Sequence, residues 1–183
     1  AADLTMAGHQ VHLAAVPDHA RNLLMVQAMH GIHLDGYSSR SSDPHSSGGH
    51  SIAFLRIPKV STEVAEAIRE AEVVMVVVPA NAQDPYIDLL VEHAQPGQII
   101  VFNPIKFASL VFHQKWRAAG RPRDEVLVGG TESLLYAAKL KGADHIWIKA
   151  VKAVLPFAAD PAARTAEALE TLIRLFSQLT PAR

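Results

Sequence analysis

Two rhythms of apolar residues alternate along this chain. In the strands expected at 73–78, 98–102 and 125–128, apolar, largely β-branched side chains follow one another without polar alternation, after an opening Gln98 and Glu125 in the last two. Such runs predict strands covered on both faces, as in a parallel sheet between layers of helix. Between them apolar residues recur every three or four positions. Val64, Ala67, Ile68 and Ala71 make one such stripe; Ile87, Leu90, Val91 and Ala94 a second; Phe107, Leu110, Val111 and Ala118 a third; Leu169, Leu172, Ile173, Phe176 and Leu179 a fourth. Each predicts a helix with one buried face. The punctuation agrees. Ser61 or Thr62, Asp84-Pro85 and Asp160-Pro161 suit helix starts, while Pro79, Pro96-Gly97, Asn103-Pro104 and Gly120 suit stops.

The first sixty residues are less regular. Residues 1–7 read as the last turns of a helix, closed by Gly8. A strand at 10–16 follows, then a helix to about Met29 with Asp18 as its N-cap, then a strand at 31–35. Residues 38–50 contain no apolar side chain, so 38–51 is expected to be a mobile loop inside a small hairpin that returns at 52–57. Val60 marks a short strand. Further strands are expected at 145–149 and 151–155, and a helix from about Ser133. Strand and helix therefore alternate, which predicts an α/β fold with a mostly parallel sheet and helices on both faces. Ligands of such sheets sit beyond the carboxyl ends of the strands. The expected tips are 14–17, 78–81, 102–105 and 129–133.

Composition narrows the function classes. The 183 residues are 49% hydrophobic and 19% charged, sufficient for an ordinary packed core. The formal net charge of −1 gives no field for nucleic acid or an anionic membrane, so neither is expected as a partner. The absence of cysteine removes disulfides, thiolate metal ligands and thiol nucleophiles. No apolar run approaches the roughly 20 residues that span a bilayer, and the expected location is cytoplasmic. Ten histidines raise the question of a metal. His9 with His12 and His30 with His33 stand three apart on expected strands, where they point to opposite faces. His45 and His50 lie in the polar loop. No metal is expected.

Three segments carry a family resemblance. Residues 4–13 look like the end of the first helix and the second strand of a dinucleotide-binding fold. Residues 73–80 look like its fourth strand and the loop that faces the cofactor. Residues 129–137, Gly-Gly-Thr-Glu-Ser-Leu-Leu-Tyr-Ala, are the most distinctive. With Asn103-Pro104 they resemble the N-terminal NAD(P)-binding, Rossmann-like domain of the opine (octopine/nopaline) dehydrogenases. Ketopantoate reductases and glycerol-3-phosphate dehydrogenases share that architecture. The resemblance implies reductive condensation of an amino acid with a 2-oxo acid, using NAD or NADP. It also implies small-molecule substrates and admits a homo-oligomer. The family's first strand and glycine-rich turn would precede Ala1, and its second domain, with the catalytic histidine, would follow Arg183. No GxGxxG occurs here. Residues 1–183 are thus expected to form a single, incomplete dinucleotide-binding domain, and no catalytic residue is assigned.

Candidate cofactor contacts follow from the expected strand tips. Val78, Pro79 and Ala80 bring a strand end with small side chains near a nucleotide. Asn103, before Pro104, offers both a donor and an acceptor. Thr131 and Glu132 follow a strand where substrate or nicotinamide would lie, and Lys106 is a lesser candidate. At the second strand the place of a ribose-binding carboxylate holds Ala14 and Ala15; His19, Arg21 and Arg40 would favour a 2′-phosphate, and Asp18 a ribose. A non-catalytic α/β binding module remains the alternative from another class. If the central first strand is missing, its two neighbours keep open edges, and those are expected to pair with each other or with another molecule.

Overall fold

The computed structural model describes residues 1–36 and 53–182, so the loop expected at 38–51 lies outside the described residues. Chain order begins α1 (Ala2–Met6), β1 (His12–Ala14), α2 (Leu23–Met29), β2 (Gly31–Gly36), β3 (Ala53–Arg56) and β4 (Lys59–Ser61). It continues with α3 (Val64–Glu70), β5 (Val73–Val76), α4 (Asp84–His93), β6 (Ile99–Phe102), α5 (Ala108–Ala118) and β7 (Leu127–Thr131). Last come β8 (Tyr136–Gly142), β9 (His145–Val151), β10 (Leu155–Asp160), α6 (Thr165–Leu175) and β11 (Leu179–Pro181). The class is the expected one. Helices alternate with strands, and parallel pairings outnumber antiparallel ones among the described residues.

The chain forms two compact units. The first joins residues 1–64 to 135–152; the second joins 65–134 to 153–183. In the first unit β1 and β4 pair in parallel, and a four-stranded sheet runs β3-β2-β9-β8. Ile32 and Leu34 of β2 and Ile148 of β9 meet Leu23 and Val26 of α2, with Ile57 and Val60, in one apolar core. Such burial contributes roughly 1.5–3 kcal/mol per large side chain.

The second unit holds a five-stranded sheet in the order β11-β10-β7-β6-β5. β5, β6 and β7 run parallel, with Val76 opposite Phe102 and Phe102 opposite Gly130. All four residues of β6 are buried, as its unbroken apolar run requires. Polar residues close the strand entrances. The Gln98 side-chain amide donates to the carbonyls of Ile68 and Ala71, and its oxygen accepts the Gln95 N–H at 2.8 Å. Arg121 donates to the carbonyls of Val91, in the last turn of α4, and Ala94, just past its end, and forks onto Glu125. Its guanidinium also lies over the Trp116 ring, 3.8 Å from the centroid.

Several elements depart from the sequence reading, each for a physical reason. The 73–78 run was expected to be buried on both sides. β5 instead occupies a sheet edge and is mostly half-buried, because only β6 flanks it. The stripe Phe107, Leu110, Val111 and Ala118 is rotated on α5. The buried face is Ala108, Ser109, Phe112 and Trp116, while Phe107 is 76% and Leu110 62% exposed. Burying the Phe112 and Trp116 rings, stacked at 5.0 Å, removes more apolar area from water than the smaller pair would. Asp18 caps nothing: residues 17–22 form a 3₁₀ turn ahead of α2. Asp84 lies inside α4, and its N-cap is Gln83. No helix starts near Ser133. Residues 136–142 form β8, since pairing with β9 outweighs the weak helical preference of Ala, Leu and Lys. The strand expected at 151–155 lies at 155–160, and β7 runs on through Gly129-Gly130 to Thr131.

Candidate functional site

Three parallel strands of the second unit end side by side, and the candidate contacts Val78 to Ala80, Asn103, Pro104, Thr131 and Glu132 lie at their tips; Asp18, His19 and Arg21 belong to the first unit, and Arg40 lies outside the described residues. β5 delivers Val78, Pro79 and Ala80. β6 delivers Asn103 and Pro104. β7 delivers Thr131 and then Glu132. The tips are laced by hydrogen bonds. Asn103 N–H donates to Val76 O at 3.0 Å, and Ile105 N–H donates to Thr131 O at 2.8 Å. The Gln83 amide, buried behind the 3₁₀ turn at 80–82, donates to Pro104 O at 3.0 Å. Sequence reasoning passed over Gln83. Its signal was a polar residue directly before the α4 stripe.

The candidates differ in what they offer a ligand. Pro79 and Ala80 are exposed and Val78 is half-buried, so a strand end with little side-chain bulk faces solvent. Asn103 is only 5% exposed; among the described residues its carboxamide makes no hydrogen bond, and it is not one of the buried polar groups left without a partner, so the little exposure that remains serves the carboxamide. That leaves a donor and an acceptor free for a hydrogen-bonding ligand. Thr131 is 1% exposed and its hydroxyl donates to Ser133 O at 2.9 Å, so this side chain shapes the turn. Glu132 is exposed at that turn. Lys106 is exposed in a left-handed conformation, φ 45°.

Gly129 and Gly130 answer to packing. A Cβ on Gly130 would lie 2.2 Å from Phe102 O and 2.7 Å from Ile105 Cβ; one on Gly129 would lie 2.6 Å from Ala158 O. The glycine pair lets β7 fit between β6 and β10 and so holds the three tips together.

Four exposed apolar side chains stand around these tips: Val77, Phe107, Leu110 and Leu134. Charge is sparse there, only Lys106 and Glu132 among the residues named. No group of three metal-ligating side chains occurs among the described residues. No described helix is long and apolar enough to cross a membrane.

Comparison with known proteins points one way. No family model matches the chain. An opine dehydrogenase of Arthrobacter sp. (strain 1C) is 29% identical over 114 residues, 62% of this chain and 31% of that protein. Octopine dehydrogenase solved with NADH and L-arginine superposes with a TM-score of 0.74 at 19% identity, over 99% of this chain and 45% of that one. Yersinopine dehydrogenase with NADP+ bound gives 0.67 at 15% identity, over 98% and 44%. A ketopantoate reductase of Ralstonia eutropha JMP134 gives 0.60 at 15% identity, over 98% and 51%. The chain spans less than half of the opine dehydrogenases it matches. Its fold is thus that of a Rossmann-like dehydrogenase domain, and the resemblance read from the sequence recurs in both comparisons.

Proposed function

We propose that this chain is the greater part of the NAD(P)H-binding domain of an opine-type dehydrogenase, an enzyme that joins an amino acid to a 2-oxo acid. The observation that carries the reading is the Asn103 carboxamide, engaged by no hydrogen bond among the described residues, at the meeting point of three parallel strand tips. That position is where α/β sheets bind nucleotides. When bound, a reduced nicotinamide supplies the hydride that converts a C=N bond to a secondary amine.

The chain's own residues bind and orient. The exposed backbone of 78–80 allows close approach at the β5 tip. Asn103 presents a donor and an acceptor, the pair that a carboxamide or a ribose hydroxyl requires. Thr131 holds its turn rigid through Ser133, which presents Glu132 to a polar or cationic group. The Phe107, Leu110 and Leu134 side chains exclude water from a covered ligand.

Titration calorimetry of the 183-residue chain with NADH and NADPH tests the proposal. Binding of either is expected, and Asn103→Leu is expected to weaken it about tenfold, the loss of one or two hydrogen bonds. Absence of binding to both, or unchanged affinity in the variant, would refute it. A ketopantoate reductase is the second reading, supported by the 0.60 superposition. An enzyme carrying this domain and turning over ketopantoate, but not pyruvate with an amino acid, would favour that reading.

A further inference from the structure

We infer that Gln83 is a positioning residue for the Asn103 carboxamide, an inference that rests on the nucleotide-binding reading above. All of its observations lie in the second unit. Gln83 stands at the N-cap of α4, where a polar side chain ordinarily turns back onto the free N–H groups of the first helical turn. The Gln83 side chain makes no such bond. Its backbone carbonyl accepts from Tyr86 and Ile87 N–H, at 3.1 and 3.0 Å. The side chain leaves the helix and crosses to the β6 tip, where its amide donates to Pro104 O at 3.0 Å. A side chain only 4% exposed thus bonds the neighbouring strand end rather than its own helix.

That bond completes a set of three on residues 103–105. Asn103 N–H donates to Val76 O at the end of β5, and Ile105 N–H donates to Thr131 O at the end of β7. Between them Pro104 has no N–H, and its ring fixes its φ at about −65°. Its remaining backbone hydrogen-bonding group is the carbonyl, and Gln83 holds it. Gln83 is itself tied to the turn beyond β5: its N–H donates to Ala80 O at 3.4 Å, and Ala82 N–H donates to Pro79 O at 2.8 Å. The side chain therefore couples the turn carrying Pro79 and Ala80 to the strand end carrying Asn103. A binding group must be held within about 0.5 Å of its productive place, and supporting hydrogen bonds supply that precision. Without the Gln83 amide the two flanking bonds keep the strand end folded, while its middle and the adjoining carboxamide gain freedom. Gln98 supplies the contrast. It is equally buried, at 5%, and its amide also donates to backbone carbonyls, those of Ile68 and Ala71, but at the opposite end of β6.

The test titrates the 183-residue chain with NADH and NADPH, well below its melting transition. It repeats both with Gln83→Met, Gln98→Met, Asn103→Leu and the double variant Gln83→Met with Asn103→Leu. Circular dichroism checks that each is folded; Gln83→Glu, which keeps the shape and removes the donor, replaces a Gln83→Met that does not fold. Gln83→Met is expected to weaken the nucleotide that the parent binds by about fivefold, the worth of one neutral hydrogen bond. The double variant should bind no more weakly than Asn103→Leu alone, because Gln83 acts through Asn103. Gln98→Met should lower Tm and leave affinity unchanged, which separates positioning from stability. A ligand-free readout goes with these. The side-chain NH2 resonances of Asn103, identified by their loss in Asn103→Leu, should shift in Gln83→Met and stay in place in Gln98→Met. Parent affinity in a folded Gln83→Met, equal weakening by Gln98→Met, additive losses in the double variant, or unmoved Asn103 resonances would each overturn the inference while sparing the nucleotide-binding reading. A parent chain that binds neither nucleotide would sink both.

Discussion

Gly130→Ala is the substitution with the clearest structural consequence. The added Cβ would sit 2.2 Å from Phe102 O, where an ordinary carbon–oxygen contact is about 3.3 Å. The obstacle is the backbone of β6, a fully buried central strand, so no side-chain rotation relieves it. Opening the β6–β7 spacing by about 1 Å would stretch ladder hydrogen bonds that are only about 2.9 Å long. Ile105 Cβ, 2.7 Å away, blocks the other direction. Overpacking of this kind costs about 1–3 kcal/mol, and a backbone obstacle places it at the upper end. For a chain of this size about 3 kcal/mol lowers Tm by roughly 6–12 °C. Thermal unfolding followed by circular dichroism measures the shift, and urea titration gives the free energy. The distortion falls beside Asn103, so cofactor affinity should drop with it even below the transition. A variant melting within a degree of the parent would show that β6 and β7 do not approach as described.

Three further outcomes are expected. Trp116→Ala removes a side chain that is 1% exposed and donates to Pro122 O at 2.7 Å; its cost is expected at about 3–5 kcal/mol, read from the urea midpoint. The Arg164 fork on Glu167, at 2.6 and 2.8 Å, holds that carboxyl below the usual glutamate range. A lowered pKa stabilises the folded state above the ordinary value and is lost as pH falls through the lowered one. Glu167→Gln should therefore narrow the stability difference between pH 7 and pH 3, by a small amount because the pair is in solvent; a variant with an unchanged pH profile would exclude the coupling. Val77, 56% exposed beyond the open edge of β5, is expected to promote self-association, so Val77→Lys should lower the light scattering of concentrated samples.

What the sequence alone determined was the part written in local pattern. The β6 run 99–102 has no polar alternation and is buried throughout; of the last helical stripe, α6 buries Leu169 and Leu172, whereas Ile173 is 46% exposed, Phe176 follows the helix end and Leu179 falls in β11. The candidate tips were legible for the same reason. Prolines and Asn103 end strands chemically, and parallel order then brings those ends together. Tertiary structure decided what depends on neighbours. Whether β5 is central or an edge is not a property of Val-Val-Met-Val, which reads the same with one partner or two. The buried face of α5 turned on the large rings of Phe112 and Trp116, because area removed from water outweighs a tidier stripe of smaller residues. Tyr136 to Gly142 became β8 because β9 lies alongside to take its backbone hydrogen bonds. That the Asn103 carboxamide is left without a hydrogen bond among the described residues could be read only from the folded chain, since hydrogen-bond satisfaction is settled by residues distant in sequence.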